Sequence, residues 1–147
     1  MNNFSNIKEI SIVDENTAYP ELPFLGITVP AGFPSPARDY IENSLNLNEL
    51  LVSHPASTYF VRVEGFSMVD ANILHDDILI VDRSLEIIDN QIVIAIIDGE
   101  IIVKRLKIKN NEYWLCPENK DYQAVKVETW MDFCIWGVVT WILHKAR

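Results

Sequence analysis

One dipeptide constrains this chain more than any other feature. Asp98-Gly99 stands between Ile92-Val93-Ile94-Ala95-Ile96-Ile97 and Glu100-Ile101-Ile102-Val103-Lys104. Two β-branched runs joined by two residues that tolerate positive φ specify a tight hairpin. Other runs of the same character lie on either side of it. Thr58–Val63 and Asp77–Asp82 precede it, and Tyr113–Cys116 and Ile135–Leu143 follow, the former beyond a break at Lys109-Asn110-Asn111-Glu112. At least five short strands with few helices predict a mainly β fold, an open sheet or a partly open barrel. Two short helices are expected before the strands. One covers Ala37–Glu42, with Ser35 as cap and Pro36 at the first helical position, and the other covers Leu47–Val52.

The first 36 residues read differently. Five of the seven prolines fall there, at Pro20, Pro23, Pro30, Pro34 and Pro36. Each removes a backbone donor and biases its predecessor toward extended conformations. With Phe24, Leu25, Ile27 and Val29 interspersed, this segment reads as an extended, mobile arm that can lie on a surface but not fold alone. The remaining residues are enough for one domain with its own core.

Charge and cysteine usage exclude several function classes. The net charge is −9, from 21 acidic and 12 basic residues, with no basic stripe and no helix-turn-helix pattern, which argues against direct DNA binding. Cys116 and Cys134 have no metal-ligand spacing, the three histidines do not complete one, and both cysteines read as reduced core thiols. The N-terminus carries no basic region followed by an apolar stretch, and no apolar run reaches spanning length. A soluble cytoplasmic protein without a membrane association is the expectation.

The chemistry is carried by two residues separated by 36 others. Ser67 lies in Val63-Glu64-Gly65-Phe66-Ser67-Met68, just past a strand and beside a glycine that lets the backbone turn. Lys104 lies inside an apolar strand between Val103 and Arg105. A serine hydroxyl needs a base within hydrogen-bond reach. None of the histidines has an informative context, and the G-x-S-x-G elbow is absent, so a Ser-His-Asp triad has little support. A lysine serves only when neutral, which near pH 7 requires lowering its ordinary pKa by roughly three units, a desolvation of about 4 kcal/mol. Ile101, Ile102, Val103 and Leu106 surround Lys104 and supply such a setting, and if Arg105 faces water, Lys104 faces inward. Lys107, Lys109, Lys120 and Lys126 sit in polar neighbourhoods and should stay charged.

The blocks Gly32–Tyr40, Leu47–Leu51, Thr58–Val61, Ser67-Met68, Asp77–Asp82 and Val103-Lys104 together resemble the LexA/UmuD-type family of self-cleaving Ser/Lys peptidases, over roughly residues 32–147. The resemblance implies that family's fold: short strands in a curved, partly barrel-like sheet, with an extended N-terminal arm and one or two short helices. It implies an arm, residues 1–31, removed by self-cleavage from a Ser/Lys peptidase domain, residues 32–147. Ser67 is then the nucleophile and Lys104 the general base. The backbone N–H groups of Phe66 and Ser67 form the oxyanion hole, and the scissile bond is Ala31–Gly32. At Phe66 the chain departs from the acidic residue of UmuD-type sequences and agrees with the apolar residue of LexA-type ones. No cofactor or metal is implied. The implied partners are a second copy in a homodimer, a RecA filament on single-stranded DNA that stimulates cleavage, and a UmuC-type Y-family DNA polymerase that the truncated form serves as accessory subunit in the SOS response.

Three other readings compete. A LexA-like or phage repressor needs a DNA-binding domain that some thirty acidic, proline-containing residues cannot supply. A signal peptidase shares the Ser/Lys chemistry but requires a membrane anchor. A non-catalytic module that regulates a polymerase would have no use for the Ser67 and Lys104 pair.

Overall fold

The computed structural model describes residues 6–13, 22–25 and 41–146, and the chain falls into two compact units. The smaller unit, Asp14–Ser53, contains a two-stranded antiparallel sheet of β2 (Leu22–Leu25) and β3 (Ile41–Leu45), followed by the helix α1 (Leu47–Leu51). Asn46 caps α1, its side-chain oxygen accepting from the N–H of Asn48 at 3.0 Å. The second expected helix is therefore present. The first is not a helix where it can be seen: Ile41 and Glu42 open β3, with Ile41 paired to Leu25, while Ala37–Tyr40 lie outside the described residues. A cap and a proline license a helix start, but a cross-strand partner and β-branched Ile41 favour extension.

The larger unit, Met1–Val13 with His54–Arg147, is one eight-stranded sheet. Its strands are β1 (Asn6–Ile12), β4 (Thr58–Glu64), β5 (Ile78–Asp82), β6 (Ile92–Ile97), β7 (Glu100–Lys109), β8 (Glu112–Cys116), β9 (Val125–Lys126) and β10 (Phe133–Leu143). They run in the order β1-β4-β5-β10-β6-β7-β8-β9, all antiparallel, with one further bridge from Asn6 on β1 to Ile102 on β7. The mainly β expectation holds, and each run singled out in the sequence is a strand. Asn6–Ile12, expected as part of an extended arm, is an edge strand of this sheet.

The hairpins form where the turn chemistry asks for them. Asp98 and Gly99 take φ of 49° and 81° between β6 and β7, and Asn110 and Asn111 take 52° and 61° between β7 and β8. Positive φ at both central residues matches the twist of the flanking strands.

Two apolar clusters make the core. Val61, Val63, Met68, Leu79, Ile94 and Val103 belong to one, and Val93, Ala95, Ile97, Ile102, Leu106 and Leu115 to the other. The β6–β7 hairpin contributes to both, so its two faces are both buried. This is why those strands read as continuous apolar runs rather than as an alternation. Each fully buried Val, Leu or Ile contributes roughly 1.5–3 kcal/mol through loss of apolar surface to water.

Candidate active site

β4 ends at Glu64, and Gly65 turns the chain with φ of 103°, a conformation that a Cβ would strain. Met68, fully buried in the first cluster, anchors the other side of the turn, and its carbonyl accepts from Ala71 N at 3.1 Å and Ile73 N at 3.2 Å. Ser67 is thus held between a strand end and a buried side chain, and it is itself buried.

Lys104 lies on β7 opposite Val93, on the same face as Ile102 and Leu106. Its side chain is 1% exposed, and its Nζ lies 2.7 Å from Ser67 Oγ and 3.1 Å from the Val103 carbonyl. Burial lowers its pKa to about 8. Strand alternation alone did not settle this inward direction. Arg105 is half-buried, yet Val103 on the same face as Arg105 is completely buried, so both faces of the strand are covered here. The structure brings Ser67 and Lys104 into contact, as the sequence reading requires.

A third element fixes the pair, and sequence reasoning missed it. The segment Glu118-Asn119 after β8 holds the serine turn through three hydrogen bonds: Glu118 N to Ser67 O at 2.9 Å, Asn119 Nδ2 to Phe66 O at 2.8 Å, and Asp70 N to Glu118 O at 2.8 Å. The Glu118 carboxylate in turn accepts from Arg105 Nε at 2.7 Å, one residue from Lys104. One loop therefore ties the nucleophile turn to the base strand. The available signal was a polar Pro117-Glu118-Asn119-Lys120 interruption just after a strand. Because a peptide unit is planar, fixing the Phe66 carbonyl also fixes the Ser67 N–H on the opposite edge. Phe66 itself is 57% exposed and stacks on His75 at 5.7 Å, while His75 Nδ1 accepts from Gly65 N at 3.1 Å.

Ala31 and Gly32 lie outside the described residues. Lys126 stays charged, as expected: a hydrogen bond to Glu112 at 3.0 Å raises its pKa. The cysteine expectation fails in part. Cys116 is half-buried, its thiol pKa pushed up by burial, but Cys134 is exposed on β10. Phe133 and Ile135 turn to the second apolar cluster, so alternation along β10 points Cys134 outward, which an apolar run alone does not reveal.

A second hydroxyl, imidazole and carboxylate do meet elsewhere. His54 Nδ1 and Ser57 Oγ both bond the Asp82 carboxylate, at 2.6 and 3.1 Å. Both groups bind the acid, and no hydroxyl–imidazole bond joins Ser57 to His54, so this is not a relay. Burial would raise the Asp82 pKa, but hydrogen bonds from Ser84, His54 and Ser57 outweigh it and lower the value. The cluster fastens the start of β4 to the end of β5. Among the described residues no helix is long and apolar enough to cross a membrane.

The site is a buried serine–lysine pair on an antiparallel β-sheet. The Peptidase S24-like family matches residues 23–140. Protein MucA of Salmonella typhimurium is 45% identical over 120 residues, covering 81% of this chain and 82% of its own. Protein ImpA of Shigella flexneri is 43% identical, over 80% and 79% of the two chains. The LexA repressor of Acidithiobacillus ferrooxidans is 42% identical over 84% of this chain but 60% of its own length. The chain belongs to the Peptidase S24-like family, as a UmuD-type member.

Proposed function

We propose that this chain is a UmuD-like SOS-response protein, a serine endopeptidase that cleaves itself between Ala31 and Gly32. The observation that carries the reading is the 2.7 Å approach of Lys104 Nζ to Ser67 Oγ, with both side chains buried. Neutral Lys104 takes the Ser67 proton as Oγ attacks the Ala31 carbonyl carbon. The N–H groups of Phe66 and Ser67 stabilise the oxyanion, and a turn fixed by Glu118 and Asn119 supports that role. Collapse breaks the Ala31–Gly32 bond, and the Lys104 ammonium protonates the leaving Gly32 amine. Water then attacks the Ser67 ester with Lys104 accepting its proton, which Lys104 returns to Ser67 Oγ as the ester bond breaks. Residues 1–31 leave as an acid that ionises to a carboxylate at Ala31.

The RecA filament on single-stranded DNA stimulates the reaction. The truncated chain, residues 32–147, works in the cytoplasm as a homodimer and accessory subunit of an error-prone UmuC-type translesion polymerase. Residues 1–31 carry four acidic and one basic residue, so their loss takes the net charge from −9 to −6.

The test is incubation with RecA, a nucleoside triphosphate and single-stranded DNA, followed by mass spectrometry. A product beginning at Gly32 from the wild type, and none from Ser67→Ala or Lys104→Ala, is the expected outcome. Cleavage that persists in Lys104→Ala rejects the lysine as base.

A further inference from the structure

β1 covers an edge that would otherwise be open. It pairs with β4 from Asn6 opposite Glu64 to Ile12 opposite Tyr59, with a register shift between Ile7 and Glu9, while β5 occupies the other edge of β4. Glu9, Ile10, Ser11 and Ile12 all have exposed side chains, Ile12 at 74%. Backbone hydrogen bonds and the Arg62–Glu9 ion pair at 3.3 Å hold the strand, with little burial of the Glu9–Ile12 side chains. A strand held this way sets hydrogen bonds against the entropy of ordering it, and its covalent tether supplies the effective concentration that keeps it docked. All of β1 lies within residues 1–31.

Beside this edge runs a cleft of about 510 Å³, with Glu9 and Arg62 on one side and Leu143, His144 and Lys145 on another. Arg62 Nη1 donates to the Asp76 carbonyl at 3.3 Å, a bond that keeps the guanidinium in place without Glu9. With Glu9 gone, the charged residues described along the cleft are Arg62, Lys145 and Asp76, with the buried Asp77 carboxylate 3.6 Å from His144 Nδ1. On a chain with a net charge of −9, this is a place where Arg62 and Lys145 offset the nearby carboxylates.

We propose that the β4 edge is a strand-acceptor site, closed by β1 in the intact chain and opened when the arm is removed. Its occupant is an extended segment of a partner protein, with an acidic residue opposite Arg62 followed by β-branched residues. β1 is the template: Glu9 opposite Arg62, then Ile10 opposite Val61. An open strand edge pairs with whatever extended chain matches it, and the charge at Arg62 selects among candidates. The trigger rests on the self-cleavage reading; the acceptor does not.

The test uses full-length Ser67→Ala protein, which cannot cut itself, and a fluorescent peptide of the sequence of residues 6–12. Successive amides on a strand point to opposite edges, so one of Ile10→Pro and Ser11→Pro removes a donor aimed at β4 and dislodges β1. The peptide is expected to raise its anisotropy with that dislodged chain at least tenfold more tightly than with the unmodified one. Adding Arg62→Glu should lose that binding, and a peptide carrying Lys at the position of Glu9 should recover it. Equal binding to intact and dislodged chains, binding indifferent to the charge exchange, or no binding to either proline variant overturns the acceptor. A chain lacking residues 1–13 provides the same comparison should both proline variants unfold. Whether the trigger exists is read separately, by the appearance of the Gly32 product from protein with Ser67 intact.

Discussion

Burial makes the Lys104 ammonium easier to deprotonate than it is in water, and two consequences can be measured. With a pKa of about 8, roughly a tenth of the molecules carry the free base at pH 7. The rate of self-cleavage should therefore rise about tenfold between pH 7 and pH 9 and then level off, read by mass spectrometry over a pH series. A rate that still climbs steeply at pH 10 would mean that the lysine is hydrated. The second consequence concerns stability. Burial holds the folded pKa below the unfolded value, so on raising the pH the folded protein releases this proton first. The unfolded chain then binds more protons, and stability rises between about pH 8 and pH 10.5. Below pH 8 the full penalty applies. Lys104→Met is thus expected to stabilise the protein by up to about 3 kcal/mol at pH 7, a gain that fades by pH 10.5, as measured from urea midpoints at the two pH values. A gain that is the same at both would show that packing, not charge, is its source.

At the scale of elements, the site depends on how a turn, a strand and a loop are joined. Asn119 holds the Phe66 carbonyl and Glu118 holds Ser67, so the loop after β8 sets the height of the nucleophile against β7. Asn119→Ala should slow cleavage by about tenfold while leaving its pH midpoint unchanged, since small misplacements of reacting groups are costly and the lysine's burial is untouched. A shifted midpoint would instead assign Asn119 to the lysine's environment. On β10 the backbone at Gly137 runs close to β5. A Cβ there would lie 2.6 Å from a Val81 methyl and 3.2 Å from the Arg83 side chain. Gly137→Ala should cost about 1–3 kcal/mol in thermal or denaturant unfolding, with no direct effect on the Ser67–Lys104 distance.

For the whole molecule, charge and topology matter more than any single contact. A chain at −9 should leave duplex and single-stranded oligonucleotides unshifted at physiological salt, checked by fluorescence anisotropy, and tight binding there would contradict the acidic-surface argument. The sequence by itself determined the β class and the hairpin at Asp98-Gly99, and it singled out Ser67 and Lys104 as a candidate pair. Those are local matters of turn chemistry, β-branched runs and residue type, written over a few neighbouring positions. It misread Ile41-Glu42 because a cross-strand partner outweighed a helix-start signal, and it misplaced Cys134 because only the face of Phe133 and Ile135 is covered there. Only the tertiary structure decided that both faces of β6 and β7 are buried, that Glu118 and Asn119 clamp the serine turn, and that Asn6–Ile12 pairs with β4. Each of these depends on segments far apart in the chain meeting across a sheet, and their pairing is fixed by the burial of the assembled molecule rather than by any local pattern of residues.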